Sequence, residues 1–128
     1  MGAQENKAVV ATAYEAFGRG DLEGVFAVLA DDVVWTNHAT GAPHEGEFLG
    51  VDGARRFFAK LLETVEITQF DIQTLLAEDD LVVALGTSAF TVNGSGNKNE
   101  GPLVHVFRFV DGKVATFDEY EHVDSGVW

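Results

Sequence analysis

The stretch LVHVFRFVDGKVATFDEYEHVD, Leu103 to Asp124, sets one histidine, His105, among valines and phenylalanines. Its second half carries four acids, Asp118, Glu119, Glu121 and Asp124. An imidazole with a carboxylate on one ring nitrogen is held in one tautomer, and its other nitrogen stays basic near neutral pH. In an apolar pocket such a pair removes a proton from carbon beside a carbonyl. The same pair also occurs as a buried histidine satisfied by its neighbour, so these residue types leave a catalytic and a structural role both open.

Which acid meets His105 depends on how the two strands of this stretch are joined. VDG suits a three-residue loop, a type I turn followed by Gly112 in the left-handed region as a bulge. That register sets Phe109 opposite Lys113 and His105 opposite Phe117. Phe117, Glu119 and Glu121 then share the face of His105, with Glu119 a diagonal neighbour within reach. A two-residue Asp-Gly turn instead sets Asp118 opposite His105 and turns Glu119 outward. The three-residue loop is expected, because it buries Phe117 and leaves Asp118 to solvent.

Other chemistries find little support. The chain has no cysteine, which removes disulfides, thiolate metal sites and cysteine nucleophiles. The four histidines form no HxH or HxxxH chelate, so no metal is expected. There is no GxSxG and no phosphate-cradling loop, and no cofactor is expected. His38 neighbours a strand face and should point outward or to a pocket mouth, and His44 falls in a loop that could cover that mouth.

Eight basic residues against 21 acidic ones give a net charge of −13 over 128 residues. Such a surface repels phosphate backbones and anionic membranes, so neither nucleic acid nor a membrane is an expected partner. No apolar run is long enough to span a bilayer, and MGAQENKA carries no hydrophobic signal stretch. A cytoplasmic protein is expected. No repeat or linker divides the sequence, so residues 1–128 read as one domain.

The elements that position His105 follow from hydrophobic spacing. Val9, Ala13 and Phe17, widened by Val10 and Tyr14, predict a helix from about Gln4 to Phe17. Asp21 caps a short second helix with Leu22, Val25, Phe26 and Leu29 on its buried face. VVWTNH reads as a strand, and residues 39–50, with three glycines and Pro43, as a loop. Asp52 is placed as the N-cap of a third helix whose buried face holds Phe57, Phe58, Leu61 and Leu62. The period then changes to two: Ile67–Ala77, Leu81–Val92, Leu103–Val110 and Lys113–Val123 read as strands, with NGSGNKNEG a longer flexible loop. Helices followed by an antiparallel meander indicate an α+β fold.

The order YEAFGRGDLEGVFAVLADDVVW, then GVDGARRFF, then VHVFRFVDGKVATFDEY resembles the SnoaL-like polyketide cyclase group of the NTF2-like superfamily, which also contains ketosteroid isomerase. The resemblance runs from about Lys7 to Asp124. It implies a cone: a strongly bent antiparallel sheet wrapped around an apolar pocket, closed by three helices from the N-terminal half. It also implies a homodimer through the sheet's outer face.

With the register set by this resemblance, Val33, Trp35 and Asn37 point inward from the first strand, Gly86, Ser88, Phe90 and Val92 from a middle strand, and His105, Phe107 and Phe109 from the next. Tyr14, Phe17, Phe57 and Phe58 come from the helices. SnoaL-like cyclases use a pocket acid and a histidine for an intramolecular aldol closure, and the matching positions are His105 as base and Glu119 as its orienter. The family's acid is an aspartate. Ketosteroid isomerase's three catalytic roles fall on Asn37, His105 and Ala13, so steroid isomerisation is not expected. Tyr14, Phe17, Trp35, Asn37, Phe57, Phe58, Ser88, Phe90, Phe107, Phe117 and Glu121 are the expected wall for a small hydrophobic molecule, with Asn37 and Tyr14 as donors to its oxygen. Acid–base chemistry on a carbonyl compound leads, beside non-catalytic binding of a small molecule and an assembly role with a filled pocket.

Overall fold

A computed structural model describes residues 2–128, and among them three helices and six strands. Helix α1 (Ala3–Gly18) buries Asn6, Val10, Ala13 and Ala16, the i, i+4, i+7 stripe of its sequence. Asp21 caps α2 (Leu22–Phe26) by accepting from the Gly24 amide at 3.0 Å. Leu29, expected on that helix, instead begins strand β1 (Leu29–Asn37).

Residues 39–50 are not all loop. A short strand β2 (Gly46–Leu49) pairs antiparallel with β1. Its half-exposed alternation, among glycines, is too short to give a periodic signal. Helix α3 (Gly50–Thr64) starts before Asp52, which sits in its first turn rather than at its cap. Gly50, at φ +71°, makes the strand-to-helix corner that an L side chain resists. Phe57 and Phe58 are buried and Leu61 half-buried, but Leu62 is 49% exposed. One step past Leu61 carries the helix off its apolar stripe. On the solvent side Arg55 forks onto Glu23 at 2.6 and 2.9 Å.

Strands β3 (Val65–Glu78), β4 (Leu81–Val92), β5 (Lys98–Val110) and β6 (Lys113–Glu121) form the meander. β5 begins at Lys98, so much of the expected NGSGNKNEG loop is strand. The sheet order is β2-β1-β6-β5-β4-β3. β1 runs parallel to β6, which makes the sheet mixed rather than wholly antiparallel. The meander fills one edge of β6 with β5, and β1 reaches the other edge only through the α3 crossover.

Two register shifts in β3, between Ile67 and Gln69 and between Ile72 and Thr74, bend the sheet. A Cβ on Gly86 would stand 2.2 Å from the Asp71 carbonyl oxygen, so the strands approach this closely only because that residue is glycine. The bend closes the concave face over Phe17, Phe57 and Phe58 from α1 and α3 and makes the core continuous with Trp35, Phe107 and Phe117. The result is an α+β cone. Among the described residues no helix is long and apolar enough to cross a membrane.

Candidate functional site

The hairpin that carries His105 turns differently from expectation. Asp111 and Gly112 both have positive φ, 50° and 79°, and Val110 pairs with Lys113. This is the two-residue turn. One step later Ala115 is unpaired, and the register shifts between Arg108 and Phe109. The bulge turns Phe117 back into the core and leaves Asp118 outward. His105 therefore stands directly opposite Glu119, not opposite Phe117. The expected face is retained by a turn and a bulge together.

Three elements converge on this pair. Parallel pairing of β1 with β6 sets Asn37 beside Glu119. The Asn37 side-chain oxygen accepts from the Ala39 amide at 2.8 Å, which orients its amide group to donate to Glu119 Oε1. Glu119 Oε2 lies 2.7 Å from His105 Nε2, and His105 Nδ1 lies 2.6 Å from the Tyr14 hydroxyl. Burial, reinforced by the negative charge of Glu119, pushes the Tyr14 phenol well above its ordinary range. The phenol thus stays protonated and donates to Nδ1, which leaves the Nε2 proton to donate to Glu119. The chain reads Asn37–Glu119–His105–Tyr14.

This arrangement bears on the two expected donors differently. Asn37 is 1% exposed, has its amide engaged inside the protein, and is not on the cavity wall. Its side chain is taken up by Glu119 and the Ala39 amide rather than turned to the cavity. Tyr14 is on the wall, with its hydroxyl on His105, so both ring nitrogens are engaged.

The cavity beside the chain has a volume of about 800 Å³ counting its open mouth. Phe17, Trp35, Phe57, Phe58, Phe90, Phe107 and Phe117 line it, together with Ser88, His105, Glu119 and Glu121. Trp35 stacks on Phe117 with centroids 3.9 Å apart, a contact worth about 0.5–1.5 kcal/mol beyond burial. Phe70 and Trp128, neither of them expected on the wall, also line the cavity, and so does His44. Phe70 belongs to a strand whose bulges break the alternation. Trp128 reaches the wall through its indole, which donates to the Thr40 carbonyl.

His44, expected above the mouth, is buried and packs edge-on against Phe57 and Trp128. Burial lowers its pKa, Glu119 opposes that and Lys60 adds to it. His38 faces outward, 2.9 Å from Asp118 and stacked on Tyr120. Among the described residues no three of His, Asp and Glu gather so as to hold a metal ion.

Burial first, then the charge of Glu119, pushes Glu121 up to about 8. Near neutrality it is a neutral acid beside a negatively charged one. Folding therefore retains a proton on Glu121 that the unfolded chain releases above 4.5. The stability it contributes is present in full below that value and lost as pH rises toward 8. The difference in Tm between Glu121→Gln and the native chain isolates this group. The variant is expected to lose less stability across that window, and equal slopes would show that Glu121 titrates normally.

No functionally curated protein matches the chain. Among solved structures, an NTF2-like protein of unknown function from Burkholderia pseudomallei K96243 is 30% identical, covering 92% of this chain and 91% of its own at a TM-score of 0.83. An NTF2-like protein from Burkholderia xenovorans LB400 is 28% identical, covering 94% and 91%, also at 0.83. TerC, co-crystallised with polyporic acid, shares the fold at 21% identity, 92% and 92% coverage and a TM-score of 0.78. Residues 10–117 match the SnoaL-like domain, a span that runs from α1 to Phe117 and includes both Tyr14 and His105. The bent sheet, the helices that cover it and this match over most of the sequence agree: the chain belongs to the SnoaL-like family and has the NTF2-like fold.

Proposed function

We propose that this protein performs cofactor-independent acid–base chemistry on a small hydrophobic carbonyl compound, with His105 as base. The observation that carries this reading is the hydrogen-bonded chain from Asn37 to Tyr14, which opens into an apolar cavity. When a substrate carbonyl oxygen accepts from the Tyr14 hydroxyl, the lone pair of His105 Nδ1 is freed. Nδ1 then takes the proton from the adjacent carbon, and the C–H electron pair moves to the oxygen as an enolate. Glu119 balances the resulting imidazolium through Nε2–H. Glu121, protonated near neutrality, supplies a second donor to the developing charge. Return of the proton to another carbon completes an isomerisation, and attack of the enolate on a second carbonyl completes a cyclisation.

Deuterium uptake into 2-tetralone in heavy water tests this without knowledge of the natural substrate. Uptake faster than in buffer is expected. Binding of 2-tetralone with no acceleration would instead support a non-catalytic carrier, a reading favoured by one observation: both nitrogens of His105 are engaged.

The whole chain is proposed to work as one domain and as a homodimer in the cytoplasm, where a cysteine-free sequence suits a reducing compartment. On the outer face of the sheet Leu85 pairs with Val104 and Val104 with Tyr120, and Val83 pairs with Val106. Leu85 and Tyr120 are exposed there, which makes a contiguous apolar patch of the kind that subunits cover. Val104→Arg is expected to shift the sedimentation coefficient from dimer to monomer; a native chain that already sediments as a monomer would exclude the dimer.

A further inference from the structure

The chain through His105 uses one end of the cavity. At the other, two buried polar groups have no partner among the described residues. Ser88 is 6% exposed and His44 3%, and neither Ser88 Oγ nor His44 Nδ1 makes a hydrogen bond. Both residues line the cavity. A buried hydroxyl or ring nitrogen left unpaired is destabilising. With Trp35 Nε1, a donor only, three such atoms line one apolar cavity, of which Ser88 and His44 can accept as well as donate and so call for a ligand group.

Their position is fixed by register. Ala84 is the β4 partner of His105, and Ser88 lies on the same face four residues further along. That is about 13 Å of extended strand. Phe90, the next inward residue, stacks on Trp128 at 5.3 Å, and Trp128 meets the His44 ring edge-on at 5.3 Å. Ser88 and His44 therefore flank one aromatic pair. The ring of His105 is caged by Tyr14, Phe107 and Phe117 and by Phe70, whose β4 partner is Ser88, so Phe70 is the wall that stands between the two polar ends.

We propose that Ser88 and His44 form a second polar subsite, which binds a hydroxyl or carbonyl oxygen at the end of the ligand remote from the Tyr14–His105 pair. The inference rests on the cavity's being a small-molecule site, and it narrows the ligand class. The aromatic walls take a flat apolar body. Ser88 donates and accepts, and burial keeps His44 neutral, so the far group is an uncharged oxygen function. The charge of Glu119 disfavours an anion. The ligand is thus an elongated, uncharged, flat molecule with an oxygen at each end.

Two rigid probes test this by calorimetry: 4,4′-biphenol, with a hydroxyl at each end, and 4-phenylphenol, with one. The native protein is expected to bind the diol about ten-fold more tightly, the equivalent of one or two net hydrogen bonds. Ser88→Ala and His44→Phe should each cut that ratio several-fold, and Ser88→Ala, a small change, keeps the test valid if the other variant does not fold. Equal affinity for the two probes in the native protein, or a ratio unchanged in Ser88→Ala, overturns the subsite while leaving the tetralone chemistry standing. If neither probe binds, the small-molecule cavity falls with it.

Discussion

His105→Gln is expected to reduce deuterium uptake into 2-tetralone by about a hundred-fold or more, the loss that follows removal of a positioned general base. Glutamine keeps a polar group of similar reach between Tyr14 and Glu119, so the hydrogen-bonded chain is bridged while the proton acceptor is gone. His105→Ala should lose the same activity and also some stability. Its ring is packed by Phe107 and Phe117, and truncation leaves a void there as well as a Tyr14 hydroxyl without its acceptor. The contrast between the two variants separates chemistry from packing. Uptake that persists in His105→Gln with an unchanged Tm would move the base elsewhere in the cavity and reduce His105 to a structural link.

The fold was legible wherever one period ran uninterrupted. The α1 stripe, the whole of β4 and the VHVFRF alternation each hold a pattern long enough to outvote local exceptions. What escaped the sequence lies where geometry departs from a period. β2 has four residues and little alternation. Leu62 looks like a continuation of the α3 stripe, and only the rotation of the helix against the sheet exposes it. The hairpin is the sharper lesson. Asp-Gly specified the two-residue turn, burial of Phe117 argued for the other register, and the unpaired Ala115 reconciles the two. Nothing in ATFDE marks a bulge, because the bulge is forced by the core and not by a glycine.

At the site, the pairing of His105 with Glu119 was readable because strand alternation sorts the acids of FDEYE. The engagement of Asn37 was not, since it depends on β1 lying parallel to β6, 82 residues away in sequence. His44 and Trp128 belong to segments without periodicity, and only the folded chain sets them against each other. They bring the second polar end of the cavity, so the least legible residues are those that narrow the ligand.

Glu119→Gln is expected to act on stability, activity and a neighbour's titration at once. The carboxylate accepts from Asn37 on one oxygen and from His105 Nε2–H on the other. A glutamine has one acceptor oxygen, so its NH2 either clashes with the Asn37 amide or forces His105 into the Nδ1–H tautomer and reverses its bond to Tyr14, at a cost of about 1–3 kcal/mol. Urea denaturation should show that loss at pH 7. Uptake of deuterium should fall as well, because the imidazolium formed on proton abstraction loses its counter-charge. The third readout is independent of any substrate. The charge of Glu119 is the second cause, after burial, of the raised Glu121 value of about 8. Removing it should bring the Glu121 carboxyl downward in an NMR titration, though burial holds it above its ordinary 4.5. A Glu121 titration that does not move would mean that Glu119 carries no charge in the native cavity, and the imidazolium would then have no carboxylate to stabilise it.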